Sequence, residues 1–514
     1  MKKEETKVIL SLFALAGLIG AFSLAIAGDL EPSAPPAPTM KTLVEVEPRI
    51  PIPGSASAIG TYAINDPGSY YLAGDRLCSG TGISVNVDHV TIDLMGYQLI
   101  GSGAGTIYGV HMTRRSNVEI KNGTIRNFGG GGIVEDDVGF LDARSNRVIN
   151  VRAIGNGRGI SLFSKNNLVK DCTTDSNSGT GIYAGRGSIV TGNTCRANGL
   201  QGINVASGST VINNSCVDNV SNGILATSSC TIISNTCLNN SNAGISATST
   251  STIKDNTCND NGTYGIRAST STIIGNTCYL NSGDGIYALG GGSVVKNNMC
   301  FFNGGYGIIT NKGSTVVNNV CNRNSTTGIS VGIASTVEGN SCLENTVFGI
   351  DAGTGSTITG NTCQDNSSSG INVGDGCTII GNSSSNNTLN GINASSGNTI
   401  TDNTCYLNGQ HGINSFLGST ISGNTSYENT ATGIFAGNGS RFSGNTTYKN
   451  RTGLYASAGS TVTENSSRDN QQWGIFLVGD NLVDQNTATN NNLSAGAFGN
   501  MNAPGSSVFG VNKF

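Results

Sequence analysis

Charge is scarce in this chain of 514 residues: Asp, Glu, Lys and Arg make up 12% of it, and the formal net charge is −4. The usual charged share is about 25%, so the sequence lacks both the basic footprint of a nucleic-acid binder and a strong acidic field. No nucleic-acid partner is expected. Histidine is nearly absent, with only His89, His111 and His411, and no Cys-x-x-Cys occurs. The ligand spacing of a zinc site is therefore missing, and no metal is expected. Proline is confined: seven of the nine residues, Pro32 to Pro53, fall between positions 28 and 55. That stretch reads as a stiff, extended linker. Beyond residue 27 no segment carries apolar residues at 3.6 spacing over helical length, which excludes helical repeats.

One long apolar run exists, Val8 to Ala27, after a basic start of Lys2, Lys3 and Lys7. Ala25-Ile26-Ala27 has the small-x-small form of a cleavage site, so residues 1–27 read as a signal peptide and the protein as exported. A run of this length is also long enough to serve as an uncleaved anchor. Cleavage would leave no transmembrane segment in the mature chain.

What the chain has in abundance is a repeat. Cysteines stand at 195, 216, 237, 258, 278, 300, 321, 342, 363 and 405, in steps of 21 or close to it apart from one double step, where Ser384 fills the gap. Ser426, Thr447 and Ser467 continue the column. An Asn stands two residues before each member and another three after, as in Asn361 and Asn366 around Cys363. A Gly-Ile pair follows, from Gly181-Ile182 to Gly474-Ile475, with Gly453-Leu454 as the one Leu. Three short segments recur per period: Ile-x-Ala or Ile-x-Val, Ser-Thr-Ile-x and Thr-Cys-x. Each alternates with period 2 and is β-branched or small, so each reads as a strand, with Gly and Asn punctuating between them. Strands this short cannot stand alone. Stacked in parallel one coil apart, at about 4.8 Å, they bury continuous columns of Ile, Ala and Cys. Buried turns leave backbone groups unpaired, and an Asn amide can supply donors and an acceptor, so both Asn columns are expected to form inward ladders.

The Gly-Ile, Ser-Thr-Ile, Asn-x-Cys and Asn pattern resembles the right-handed parallel β-helix repeat proteins of bacteria, a group with pectate-lyase-like and NosD-like members. The lead-in from Pro51 to Gly96, with Gly68-Ser-Tyr-Tyr-Leu72 and Val90-Thr-Ile-Asp-Leu94, is similar to exported members of it. The resemblance implies an all-β, single-stranded right-handed parallel β-helix of about 18–20 coils, three short strands per coil. The expected layout is a signal peptide at 1–27, the linker at 28–55, the β-helix at 56–494 and a C-terminal cap at 495–514. The 29-residue step from Asn127 to Asn156 implies a loop inserted near 129–147. The group spans lyases, hydrolases, epimerases, adhesins and accessory proteins, so the fold leaves the chemistry open. The catalytic motifs of polygalacturonases, pectate lyases and alginate epimerases are absent from this sequence.

Fourteen cysteines in an exported chain ordinarily mean disulfides. Here equivalent Cys residues lie one coil apart with parallel Cβ vectors, so a buried stack of free thiols is expected instead. Cys172 falls in the first Asn column, while Cys78, Cys230 and Cys377 fall off the thiol column.

Candidate functional residues lie on outward columns. Arg323, Glu344 and Asp365 stand two after Cys on consecutive coils, the mixture of acid and base a polysaccharide lyase needs; Glu338 and Asp351 are close in sequence. Adjacent carboxylates raise one another's pKa or hold Ca²⁺, so Ca²⁺ is expected only if the chain is an enzyme. Glu135-Asp136-Asp137 is a second acidic group. Tyr406, Tyr427 and Tyr448 follow the Cys column on three successive coils, and Tyr264 and Tyr306 precede the Gly-Ile pair on alternate coils. Such rows can stack on sugar faces or simply pack on their neighbours. Between 180 and 470 the period varies by one residue, leaving no long loops to wall a cleft. The sequence therefore points to a secreted, periplasmic or surface protein that binds an extracellular or envelope polysaccharide, or is structural. A polysaccharide lyase or hydrolase and a NosD-like periplasmic accessory protein are the alternatives. No cofactor is expected.

Overall fold

The structure, a computed structural model, describes residues 48–136, 144–492, 499–504 and 507–513. The signal segment and most of the linker lie outside the described residues. By backbone contacts residues 50–514 form one unit. That unit is a parallel solenoid with three strands in each regular coil. Ile350–Ala352, Thr357–Thr359 and Thr362–Gln364 make one such coil, and each pairs in register with its equivalent on the next: Ile350 with Ile371, Ile358 with Ile379, Cys363 with Ser384. The Ile-x-Ala strands stack into one 21-stranded sheet, and the other two strands of every coil form the second sheet, of 41 strands. At about 4.8 Å per coil, the stack is roughly 95 Å long.

Residues that alternate inward are dry. Ile350, Ile358 and Cys363 have no exposed surface, and Ala352 is 3% exposed. The Asn columns form the ladders expected of them. The Asn361 backbone N–H and side-chain amide both donate to Asn382 Oδ1, at 2.8 and 2.9 Å, and the amide also donates to the Val337 carbonyl at 3.0 Å. Asn366 repeats the pattern with Asn387 and the Cys342 carbonyl. A third ladder went unread in the sequence: the Ser of Ser-Thr-Ile. Ser314 N–H donates to Ser335 Oγ, and Ser335 N–H to Ser356 Oγ, at 3.2 and 3.1 Å. Cys230 and Cys377, which fall off the thiol column, are members of this third ladder and donate N–H to Ser251 and Asn398. Cys172 takes its place in the first Asn ladder, donating N–H to Asn193 Oδ1 at 2.8 Å.

The Gly of the Gly-Ile pair is fixed by close approach. A Cβ on Gly349 would meet the Gly370 carbonyl oxygen at 2.6 Å, Asn366 Nδ2 at 2.9 Å and Cys363 Cβ at 3.0 Å.

Both ends extend the stack further than the repeat suggests. Ile50–Ile52, inside the expected linker, pairs with Tyr70–Leu72. The buried Arg76 guanidinium donates to the Pro53 and Gly60 carbonyls at 2.9 and 2.6 Å, tying the first coil down. At the other end Met501–Asn502 and Val508–Phe509 add strands, and the side-chain oxygens of Asn500 and Asn512 continue the two Asn ladders from Asn491 and Asn486. The inserted loop is smaller than 129–147. Gly131–Asp136 is a strand, with Ile133 between Val110 and Ile160, and Arg144 bridges Lys165. The residues between, 137–143, lie outside the described residues.

Candidate functional site

The column two after Cys is a turn position held in the left-handed region: Arg323, Glu344 and Asp365 have φ of 52, 53 and 57°. This explains why Asp or Asn fills so many of its other places, as in Asp218, Asn239, Asp260 and Asn386, since short polar side chains tolerate that backbone. The three candidates do lie on consecutive coils, but they are committed to neighbours. Arg323 makes a bidentate pair with Glu344, Nε to Oε2 at 2.7 Å and Nη2 to Oε1 at 3.1 Å. That bond raises the pKa of an already permanently charged guanidinium. Asp365 accepts from the Asn386 amide and, at 2.8 Å, from Gln364 Nε2. Glu338 lies on the second sheet, whereas Asp351 lies on the Ile-x-Ala sheet and accepts from Asn372, so the two do not join the set.

Tyr406, Tyr427 and Tyr448 form a ring stack, with centroids 4.9 and 4.7 Å apart and planes within 3° of parallel. The Arg468 guanidinium lies 4.6 Å over Tyr448 and closes the far end. Both faces of Tyr427 are covered by its neighbours, so no sugar can stack on that ring while the row is intact. Burial, then the neighbouring Tyr448 and Tyr406, raise the Tyr427 pKa above that of a free phenol. Tyr264 packs against Tyr287 at 4.6 Å. Tyr306 is separated from it by the coil carrying Asp284, whose carboxylate accepts the Tyr306 N–H at 2.7 Å. Burial raises the Asp284 pKa, and this N–H bond opposes the rise.

The sequence reading missed the middle position of Ile-x-Ala, which points outward. Here Asn372, Asn393 and Asn414 each donate a side-chain amide to the residue one coil earlier, beginning with Asp351, each at 2.8 Å. The row then changes to Phe435, Tyr455 and Phe476, with centroids 4.8 and 5.2 Å apart. All seven side chains are half-buried. The signal was available: stepping 21 residues from Asp351, with one step of 20 between Phe435 and Tyr455, lists them.

A second feature lies in the N-terminal coils. His111 Nε2 is 2.7 Å from Asp136 Oδ2, and Tyr108 stacks on the imidazole at 4.7 Å. A groove of about 440 Å³ runs across the same sheet, with Arg158, Phe163, Tyr183 and Leu200 in its walls and Gly129, Gly130, Gly157 and Gly179 along one side. Asp136 and the buried Glu135 belong to the acidic triplet singled out from sequence, and Asp137 lies outside the described residues. Burial raises the Glu135 pKa, opposed by hydrogen bonds from Ser164 N–H and the Asn146 amide.

All fourteen cysteines are free and buried. Burial pushes the Cys172 thiol up to about 12 and carries Cys237, Cys258, Cys278 and Cys300 well above the usual thiol range. Among the described residues no group of three His, Cys, Asp or Glu is placed to hold a metal ion. No helix among them is long and apolar enough to cross a membrane.

A parallel coil of three strands, closed by inward ladders at each turn, defines the class as a right-handed β-helix. The chain belongs to that family: the right handed beta helix region matches it in overlapping spans, 78–216, 166–271, 222–362 and 267–404. No curated protein matches. Among solved structures the chain is similar to the periplasmic alginate epimerase AlgG, at 12% identity over 72% of this chain and 76% of that one, with a TM-score of 0.27. It is also similar to tailspike protein 3 of bacteriophage CBA120, at 13% over 67% and 56%, TM-score 0.29. A third is the A-module of Azotobacter vinelandii mannuronan C-5 epimerase AlgE6, at 13% over 87% and 91%, TM-score 0.20. These likenesses concern the fold alone.

Proposed function

We propose that the chain is an exported, non-enzymatic β-helix that binds a polysaccharide along the outer face of its Ile-x-Ala sheet. The observation that carries this reading is the outward row Asp351, Asn372, Asn393 and Asn414, continuing as Phe435, Tyr455 and Phe476. Its amides are held by one another at 2.8 Å, so they are positioned before any ligand arrives, which lowers the ordering cost of binding. Hydroxyl-rich sugars need such a run of donors and acceptors, and a rigid row repeating at about 4.8 Å offers it along a polymer. The non-enzymatic part of the reading rests on the Arg323–Glu344 pair and on Asp365, whose charges are spent on neighbours.

The test is to incubate the full chain with neutral and acidic polysaccharides, scoring co-sedimentation and chain cleavage in the same tubes. Binding without cleavage, weakened about tenfold in Asn393→Ala/Tyr455→Ala, is the expected outcome. Cleavage would favour the second reading, a lyase or hydrolase. The observation on its side is the His111–Asp136 pair on the Ile-x-Ala sheet, so cleavage should then vanish in His111→Ala and survive Glu344→Gln. A NosD-like accessory role is left as the reading if neither binding nor cleavage occurs.

A further inference from the structure

Charge is unevenly placed along the solenoid. Twelve of the 28 Lys and Arg residues fall between positions 108 and 196, against seven carboxylates, although the chain as a whole carries −4. Three of these cations form a column. In the turn that leaves the Ile-x-Ala sheet, Arg144 bridges Lys165, and the Arg186 carbonyl accepts the N–H of Asn166, so Arg144, Lys165 and Arg186 occupy one place on three successive coils. Lys165 and Arg186 line a groove of about 330 Å³ with Asn166, Gly187, Ser207 and Gly208. Arg144 and Arg186 are exposed and Lys165 is half-buried.

These three combine one column on successive coils with side chains that hold no carboxylate among the described residues. Arg196, Lys254, Arg323, Lys449 and Arg468 each hold a carboxylate 2.7–3.6 Å away. Arg144, Lys165 and Arg186 have no ion pair among the described residues. Followed coil by coil, the same turn runs on through Ser207, Ser228 and Ser249 and meets no carboxylate before Asp375. Three cations about 4.8 Å apart lie within one screening length at 0.1 M salt and act as one positive strip.

We infer that this turn column, from Arg144 to Ser249, binds an anionic polysaccharide strand lying along the solenoid axis. Guanidinium and ammonium groups take the acid groups of the polymer, and the serine hydroxyls beyond them take its hydroxyls. The inference rests on the polysaccharide-binding reading above and adds a second contact surface, on the coils before the Asp351 to Phe476 row, and the charge of the ligand that surface takes. Carboxylate and sulfate polymers share the chemistry the column recognises. Nucleic acid is disfavoured because the positive strip is short and the coils after it carry a net negative charge.

The experiment uses the full chain and measures dissociation constants at 50 mM and 500 mM NaCl for polygalacturonate, sulfated dextran, neutral dextran and duplex DNA. Three proteins are compared: the natural chain, Arg144→Ala/Lys165→Ala/Arg186→Ala, and a control with the same charge loss elsewhere, Lys254→Ala/Lys296→Ala/Lys449→Ala. Melting temperatures confirm that each variant is folded. The expected result is salt-sensitive binding of one or both acidic polymers, weakened on the order of tenfold or more in the first variant and little changed in the control. Preference for polygalacturonate over sulfated dextran assigns carboxylate, and the reverse assigns sulfate. Three outcomes overturn the inference: equal binding by the first variant, equal loss in the control, or tighter binding of DNA than of any glycan. Binding of neutral dextran alone overturns it while leaving the polysaccharide reading intact. Binding of no polymer removes both.

Discussion

The coils from Cys195 to Cys363 and those from Ser384 to Ser467 share one backbone but, Cys405 apart, fill the same inward position with different chemistry. In the first set nine thiols stack in a dry column. In the second, Ser384, Ser426 and Ser467 each turn a hydroxyl onto the Gly carbonyl seven residues on, all at 2.7 Å, and Thr447 donates to Ser467 at 2.9 Å. A thiol is a weak donor and can be buried as a small apolar group, whereas a buried hydroxyl needs a partner. The fold places that carbonyl within reach on every coil, so the position accepts either residue. The ladders flanking it do not vary: Asn361 and Asn366 on one side of the change match Asn424 and Asn429 on the other. Volume and hydrogen-bond supply are what a coil holds constant, and side-chain identity follows from them. Outward ring contacts occur in both sets, as Tyr264 on Tyr287 in the first and Tyr406 on Tyr427 in the second.

The largest difference between the two sets should come from alkaline pH. Thiols such as Cys237 and Cys258 have folded pKa values raised by burial. Their stabilising contribution is complete below the unfolded value, about 8.5, and falls as pH rises above it, because only the unfolded chain then releases protons. Urea unfolding from pH 7 to 10.5 should show this decline, and Cys216→Ser/Cys237→Ser/Cys258→Ser should make it shallower. A decline of the same slope in that variant would show that the thiol coils are not its source.

Gly349→Ala, and Gly433→Ala as its equivalent in the second set, should each cost about 3 kcal/mol, since the added Cβ meets backbone and ladder atoms that cannot yield. Asn235→Ala should cost about 2 kcal/mol by leaving buried ladder partners unsatisfied; an unchanged melting temperature would refute an energetic role for the ladder. Ser384→Ala and Cys342→Ser exchange the chemistry of the two sets and should each cost about 1 kcal/mol or less, because the Gly391 and Gly349 carbonyls are available in both. A larger loss in Cys342→Ser would mean that the thiol column excludes hydroxyls. Tyr427→Ala, which removes two ring stacks at the surface, should cost about 1 kcal/mol.

The fold was legible because its signals are inward and periodic. A Cys column at 21-residue steps, flanked by two Asn columns, fixed the register that pairs Cys342 with Cys363. The Ser ladder was harder to see, since Ser of Ser-Thr-Ile reads equally well as an exposed residue until Ser335 is found buried. The end coils were harder still. Ile50–Ile52 and Met501–Asn502 join through backbone pairing, with little of the repeat left in their side chains. The candidate site was the least legible. Arg323, Glu344 and Asp365 were correctly aligned from sequence, yet alignment does not say whether charges meet a ligand or each other.

The sequence by itself determined the coil, the inward columns and the two Asn ladders, because residues with strict period-2 alternation at a 21-residue repeat can bury their apolar side chains only by stacking in register. The tertiary structure alone decided the outward chemistry. Side chains on neighbouring coils stand about 4.8 Å apart, so whether they pair, stack or stay open depends on rotamers and turn geometry. That distance closes Arg323 onto Glu344 and Tyr427 onto Tyr448, while Arg144, Lys165 and Arg186 hold no carboxylate among the described residues.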